Sequence, residues 1–319
     1  TTKNAAAGNG WRGNMKRYIL KRLLFAVPTI LGSMMVVFLI IRSIPGDPVA
    51  MKFGKSATVQ EIEEYREEYG YNRPMAVQMV DSIIDTFRGD LGYSMANNQP
   101  VFDMILDCLP NTLELTVFGV LLAIVLGVTS GIFAALYRGS IFDMMILSLN
   151  TLLMSMPSFF LGLVLIIVFG VQLKLIPVIG LNLAPEQHFA GLIGPVITVG
   201  LGSAASIART TRTSMLKILG NDFIKVCKSK GIAKSAIIIK HALRNALTPI
   251  ITVVGGTFAA YLGGAVVTET VFARPGIGKL LVDAINARDY TVIQGTAVFL
   301  AVFMILVILV TDILYGIFD

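Results

Sequence analysis

The chain of 319 residues is 55% hydrophobic and only 14% charged, with a net charge of +6. Average soluble domains carry about 25% charged residues, so a water-soluble fold of this size could not cover its apolar surface, and the bilayer must act as solvent for it. The positive balance does not point to nucleic acid, because the cations cluster where cytoplasmic loops should lie.

Residues 1–14 are polar and rich in small side chains, and read as a disordered tail or an expression remnant ahead of a natural-looking start at Met15. The apolar run from Leu23 to Ile41 is too long for the core of a signal peptide, and no small-residue cleavage site follows it. It is read as a retained first span, 20–41, with Pro28 and Gly32 tolerated inside it. Together with an extracytoplasmic amphipathic stretch it makes up a first region, 15–112. In that stretch Thr58 and Glu61 form a capping box ahead of a short helix. Pro74 opens another helix, with Met75, Met79, Ile83 and Phe87 at helical spacing. A third amphipathic piece, Val101 to Leu109, leads into span two. These pieces either cap the ends of the spans or offer a landing surface to an external partner.

The remaining region, 113–319, is expected to be a core of five spans: 113–137, 143–172, 192–213 opened by Pro195, 246–268 and 291–317. Each reaches the ~20 residues that cross ~30 Å of hydrocarbon. A basic loop, 214–245, joins the fourth span to the fifth, and a re-entrant or surface stretch, 269–290, precedes the sixth. Up to Arg22 the chain carries Lys3, Arg12, Lys16, Arg17, Lys21 and Arg22 with no acid among them, and the basic loop carries Arg244 and a run of lysines against the single acid Asp222. With six spans both termini and this loop fall in the cytoplasm. Cys108 and Cys227 then lie on opposite sides and should not pair.

Enzymatic chemistry has little to stand on. The segment from Ala273 to Leu280 lacks the Gly and the Ser or Thr that a phosphate-binding loop needs at its two ends. His188 and His241, the only histidines, fall on opposite sides and cannot build a multi-histidine metal site. No cofactor or metal is therefore expected on this chain. Carboxylates inside the spans are scarce, with Glu114 at one edge and Asp312 near the far end of span six. Ion relays need such groups, which disfavours an ion-coupled transporter; a membrane scaffold is the other rival. Span five carries two small-residue stripes, Gly255, Ala259, Gly263 and Gly256, Ala260, Gly264. They let backbones approach closely, either within the chain or along a seam with a second subunit.

The basic loop reads Asn221-Asp-Phe-Ile-Lys-Val-Cys-Lys-Ser-Lys-Gly231, then Lys240-His-Ala-Leu-Arg-Asn-Ala-Leu-Thr-Pro249. It resembles the cytoplasmic signature loop of binding-protein-dependent ABC importer permeases, in particular the first permease of the peptide, dipeptide and nickel branch. It departs at Lys225, Val226 and Cys227, the last usually Ala there. Other segments agree in order and spacing: Pro45-Gly-Asp-Pro48, Gly89-Asp-Leu-Gly92 with Ser94, Leu109-Pro-Asn-Thr-Leu-Glu-Leu115, Ser155-Met-Pro157, Thr268-Glu-Thr-Val-Phe272 with Pro275-Gly276, and Arg288-Asp-Tyr290.

The resemblance implies an all-α permease of the type I importer fold in a bacterial or archaeal inner membrane. It implies a second permease, two cytoplasmic ATPases that hold ATP and Mg, and an extracytoplasmic solute-binding protein. The cargo is a di- or oligopeptide, with nickel, a metal chelate or glutathione as alternatives. The residues it marks for ATPase coupling are Asp222, Phe223, Lys225, Cys227, Lys230, Gly231, His241, Arg244, Asn245 and Pro249. From the residues alone, Asp222 favours the start of a short helix and Gly231 ends it in left-handed geometry. Its lysines could equally face anionic headgroups of membrane lipid. Nothing in the sequence marks substrate-contacting residues.

Overall fold

Apolar runs bounded by Pro, Gly and Asp dictate helices, and helices are what a computed structural model of the chain contains. It describes residues 24–43, 49, 53, 58–68, 70–178 and 188–318, all helix or connecting turns apart from an isolated bridge between Tyr93 and Pro100. The leader, Met15 and the Pro45–Pro48 motif lie outside the described residues, as do the packing of Gly264 and the side chain of Asp312. The first span is α1, Leu24–Ser43. Next come α2, Val59–Glu68, and α3, Met75–Phe87. The capping box at α2 closes in both directions: Thr58 N donates to Glu61 Oε2 at 2.8 Å and Glu61 N to Thr58 Oγ1 at 3.3 Å.

The third amphipathic piece is not separate. Val101–Leu136 is one 36-residue helix, α4, with Pro110 inside it. At about 1.5 Å per residue it is roughly 54 Å long, well beyond the hydrocarbon thickness. Pro110 is tolerated because a proline costs only one backbone bond in a helix anchored on both sides. Here Val101 and Ile105 precede it and Leu115 follows it, all fully buried.

Span three is also corrected. Instead of one straight helix over 143–172, α5, Ile141–Ser155, and α6, Ser158–Leu165 with a π-helical continuation Ile166–Gln172, are bent by 102°. Pro157 forces Met156 out of helical geometry, at φ −85° and ψ 124°. Among the described residues, five helices can cross a membrane by length and composition, or six if this bent pair is one span.

Then comes α7, His188–Leu219, starting before Pro195 and ending well past the expected 213 because Met215 and Ile218 are buried. The basic loop is therefore mostly helical: α8, Asp222–Ser229, then a turn Lys234–Ala236 and a π-helical segment Ile237–Leu243 that run into α9, Arg244–Gly264. The expected fifth span stops short of 268 at Ala265, and α10, Val266–Val271, follows. The stretch before the last span holds α11, Ile277–Ala287, and the last span is α12, Tyr290–Phe318.

Two compact units emerge. One takes residues up to Asn111 with Pro275–Ile305. Residues 275–305 thus leave the 113–319 core expected from sequence, because Ile277, Ala284, Val292 and Leu300 pack on Val101 and Ile105. Asp289 holds this unit's fold: its carboxylate accepts from Ser94 Oγ at 2.6 Å, Ala96 N at 3.2 Å and Val292 N at 3.2 Å, the last capping α12.

The other unit takes Thr112–Arg274 and the residues from Leu306 on. Its core joins Ala123, Ala135, Ala204, Ile207, Met215, Ile224, Ala242 and Ile250. Helices α4 and α7 meet at a seam of glycines. A Cβ on Gly127 would come within 2.7 Å of Ala204 O, and one on Gly131 within 2.6 Å of Ala208 O. Backbones this close are packed by dispersion, which drives helix association where lipid removes the hydrophobic incentive.

Candidate functional site

The site marked by the sequence is built around α8. Its inner side is fixed by Ile224, fully buried among Met215 and Ile218 of α7, Ile237 and Ala242 of the π-helical segment, and Ala246 and Ile250 of α9, with half-buried Cys227 one turn on. The helix ends in a Schellman turn. Gly231 sits at φ +73°, its N–H donates to Lys228 O at 3.0 Å, and Ile232 N–H reaches back to Cys227 O at 3.2 Å. Ile232 and Cys227 also belong to the same apolar cluster. This gives Cys227 a packing role that a small apolar side chain of either kind can fill.

With one face locked, the other is presented. Phe223 and Val226 are 39% and 51% exposed, beside the exposed Lys225, Lys228 and Lys230. Asp222 and Lys225 form an exposed pair at 2.8 Å, which leaves the first turn neutral. In the following segment His241 is half-buried, while Arg244, Asn245 and Pro249 are exposed. Asn245 Nδ2 donates to His241 O at 2.6 Å, satisfying a carbonyl where the π-helical segment passes into α9.

Upstream, α7 is tied to α5 by a bidentate ion pair. Arg212 Nε and Nη2 donate to Asp143 Oδ1 and Oδ2 at 2.8 and 2.7 Å, and Gly139 N adds a third bond at 2.9 Å.

The two small-residue stripes divide. Gly255 faces Thr311 of α12, and Ala259 is buried, so this stripe packs within the chain. Gly256 has nothing within 4 Å of an added Cβ, and Ala260 is exposed. Gly263 is half-buried.

Sequence reasoning missed a buried polar cluster in the second unit. Glu269 is fully buried and accepts from Thr112 Oγ1 at 2.7 Å. Arg274, 3% exposed, donates to Glu114 Oε2 at 2.7 Å, and His188 Nε2 lies 2.8 Å from the same oxygen. Burial draws the Arg274 pKa below its ordinary value, against the opposing pull of Glu114 and Glu269. The signal was present in the Leu109–Leu115 and Thr268–Phe272 segments, read as markers of resemblance and not as partners in space.

These features define a polytopic helical membrane protein whose basic interspan loop is folded into a presented helix. Two family profiles match it: "Binding-protein-dependent transport system inner membrane component" over residues 127–319, and its N-terminal counterpart, "Binding-prot-dependent transport system membrane comp, N-term", over 15–116. The chain belongs to this family of ABC importer permeases of the inner membrane. It is 38% identical over 302 residues to the glutathione transport system permease protein GsiC of Escherichia coli (strain K12), covering 95% of this chain and 97% of that protein. It is also 38% identical over 305 residues to a probable peptide ABC transporter permease protein, y4tP, of Sinorhizobium fredii (strain NBRC 101917 / NGR234), with the same coverage. A solved structure of the MetNI methionine ABC transporter in inward-facing conformations shares the fold. Its TM-score is 0.56 at 19% identity, covering 68% of this chain and 96% of that one.

Proposed function

We propose that this chain is one of two permease subunits in an importer of di- or oligopeptides, driven by ATP bound with Mg on two cytoplasmic ATPase subunits. An extracytoplasmic binding protein delivers the cargo, and both termini and the α8 loop face the cytoplasm. The observation that carries the reading is α8 itself. One side is anchored by a fully buried isoleucine, and the other offers Phe223 and Val226 ringed by lysines. An amphipathic helix with apolar anchors and a cationic border fits a groove on a protein partner; a purely solvated charged face would not expose the two apolar side chains.

In this mechanism ATP closes the ATPase pair, α8 moves with it, and the spans change access. ATP supplies the bias through its different affinity for the two states, and the permease does no covalent chemistry. Glutathione, a tripeptide, is a second cargo reading, favoured by the relative named for its transport.

The test is ATP-driven peptide uptake by the assembled transporter in proteoliposomes, with Phe223→Asp and Val226→Asp as variants. Both positions are exposed, so folding and insertion should persist while uptake falls at least ten-fold and the ATPases dissociate more readily. Uptake at the normal rate in both variants would sink the assignment of α8 as the coupling element.

A further inference from the structure

The first unit contains a cavity of about 780 Å³ that the transport reading does not use. The C-terminal end of α1, the turn ahead of α3, the loop 88–93 and the first turns of α12 enclose it. Small-molecule sites typically occupy about 300–1,000 Å³.

Arg42 lines it. The guanidinium lies over the rings of Phe38 and Tyr71, at 5.4 and 4.8 Å from their centres, and gives one hydrogen bond, to Gln78 Oε1 at 2.5 Å. Gln78 is itself pinned, its amide donating to Tyr71 O at 2.9 Å and Arg73 O at 2.7 Å. Among the described residues no carboxylate lies within 4 Å of Arg42, so most of its five N–H donors face no protein acceptor. A guanidinium with spare donors is complementary to a carboxylate. Glu68 and Asp90 line the cavity as well and form no ion pair among the described residues; both are exposed, Asp90 Oδ1 accepts from Gly92 N at 2.8 Å, and the Arg73–Asp81 and Arg88–Asp85 pairs stand on the same wall.

We infer that this cavity binds a small zwitterion, its carboxylate on Arg42 and its ammonium facing Glu68 and Asp90. A short peptide with free termini has this chemistry and size; the choice of peptide rests on the proposed cargo. The aromatic faces of Tyr71 and Phe38 hold the guanidinium in place, so the carboxylate meets a prearranged donor.

The test uses the full chain in phosphatidylcholine nanodiscs and equilibrium dialysis with labelled trialanine, its C-terminal amide and its N-acetyl form. Saturable binding of trialanine is expected, at least ten-fold weaker for the amide and several-fold weaker for the acetylated form. Arg42→Gln should abolish the preference for the free carboxylate. Equal binding of trialanine and its amide, no binding of trialanine, or displacement of trialanine by added phosphatidylglycerol headgroup would each overturn the proposal. Binding is read without ATPases. Loss of ATP-driven uptake with terminus-dependent binding intact would therefore count against the transport reading alone.

Discussion

The turn after α8 gives a sharp prediction, because its geometry isolates one energetic contribution. Gly231 adopts φ +73° and an added Cβ would meet nothing within 4 Å. Substitution therefore carries no packing clash, only the backbone cost of a left-handed residue, about 1–2 kcal/mol for an L-amino acid. A smaller part is offset by the reduced freedom of the unfolded chain, about 0.4–1 kcal/mol for Gly→Ala. Gly231→Ala should cost about 1 kcal/mol, Gly231→Asn less because asparagine tolerates this region, and Gly231→Val more because a β-branched side chain does not. The two hydrogen bonds at risk are donated by the amides of Gly231 and Ile232. Hydrogen exchange of the peptide covering residues 226–233 should accelerate about five-fold for Ala, the factor that ~1 kcal/mol represents. Coupled uptake should fall in the same rank order. Equal exchange rates for the Ala, Asn and Val variants would refute the assignment of the left-handed turn as the element that terminates α8.

Other predictions rest on burial. Arg212→Met leaves the buried Asp143 carboxylate without its partner and should destabilise the protein by about 3–5 kcal/mol, whereas the double variant with Asp143→Leu should recover most of it; chemical denaturation in detergent measures both. Gly131→Val drives a branched side chain into Ala208 O and the Thr211 side chain and should cost at least about 1–3 kcal/mol by overpacking, read as a lower thermal midpoint. Burial raises the Tyr71 pKa to about 12, opposed by the Arg42 cation and the Thr291 hydrogen bond. The folded state thus binds this proton more tightly than the unfolded chain, whose tyrosines ionise near 10. Stability from this group is whole below pH 10 and is lost as pH rises toward 12. A 295 nm titration of wild type minus Tyr71→Phe should place its ionisation about two units late.

Much of the helical content was legible because it follows from local chemistry. The Thr58–Glu61 box caps the start of α2 and Pro74 stands directly before α3, and Gly231 ends α8 for a conformational reason visible in one residue type. What the sequence concealed was pairing at a distance. The Ser94 and Arg288–Tyr290 segments were separate markers, yet Ser94 hydrogen-bonds Asp289 across 195 residues of chain. The bend at Pro157 was missed because the apolar run continues on both sides, and hydropathy does not register the direction of a helix. The seam at Gly127 and Gly131 was missed for a related reason: the same spacing drew notice in α9, where only one of two stripes is packed within the chain.

The placement of buried charge adds a mechanical argument. The Asp143–Arg212 pair joins the start of α5 to α7, ten residues before α8 begins at Asp222. A bidentate pair has one low-energy arrangement, unlike apolar contacts, which can slide. Ile224 then ties α8 to α7, the π-helical segment and α9 through one continuous cluster. A push on the exposed Phe223 and Val226 therefore meets a helix that cannot shift alone. It must carry α7 and α9 with it, or break a buried contact costing several kcal/mol, as truncation of a fully buried isoleucine does at about 2–5 kcal/mol. Ile224→Ala is accordingly a sharper probe of transmission than any change on the outer face. On the proposed function it leaves Phe223, Val226 and the lysines in place, so the ATPase subunits proposed above should still bind, while each ATP hydrolysed should move less peptide. If Ile224→Ala lowered ATPase binding and transport in equal proportion, the rigid linkage between α8 and its neighbours would not be what transmits the motion.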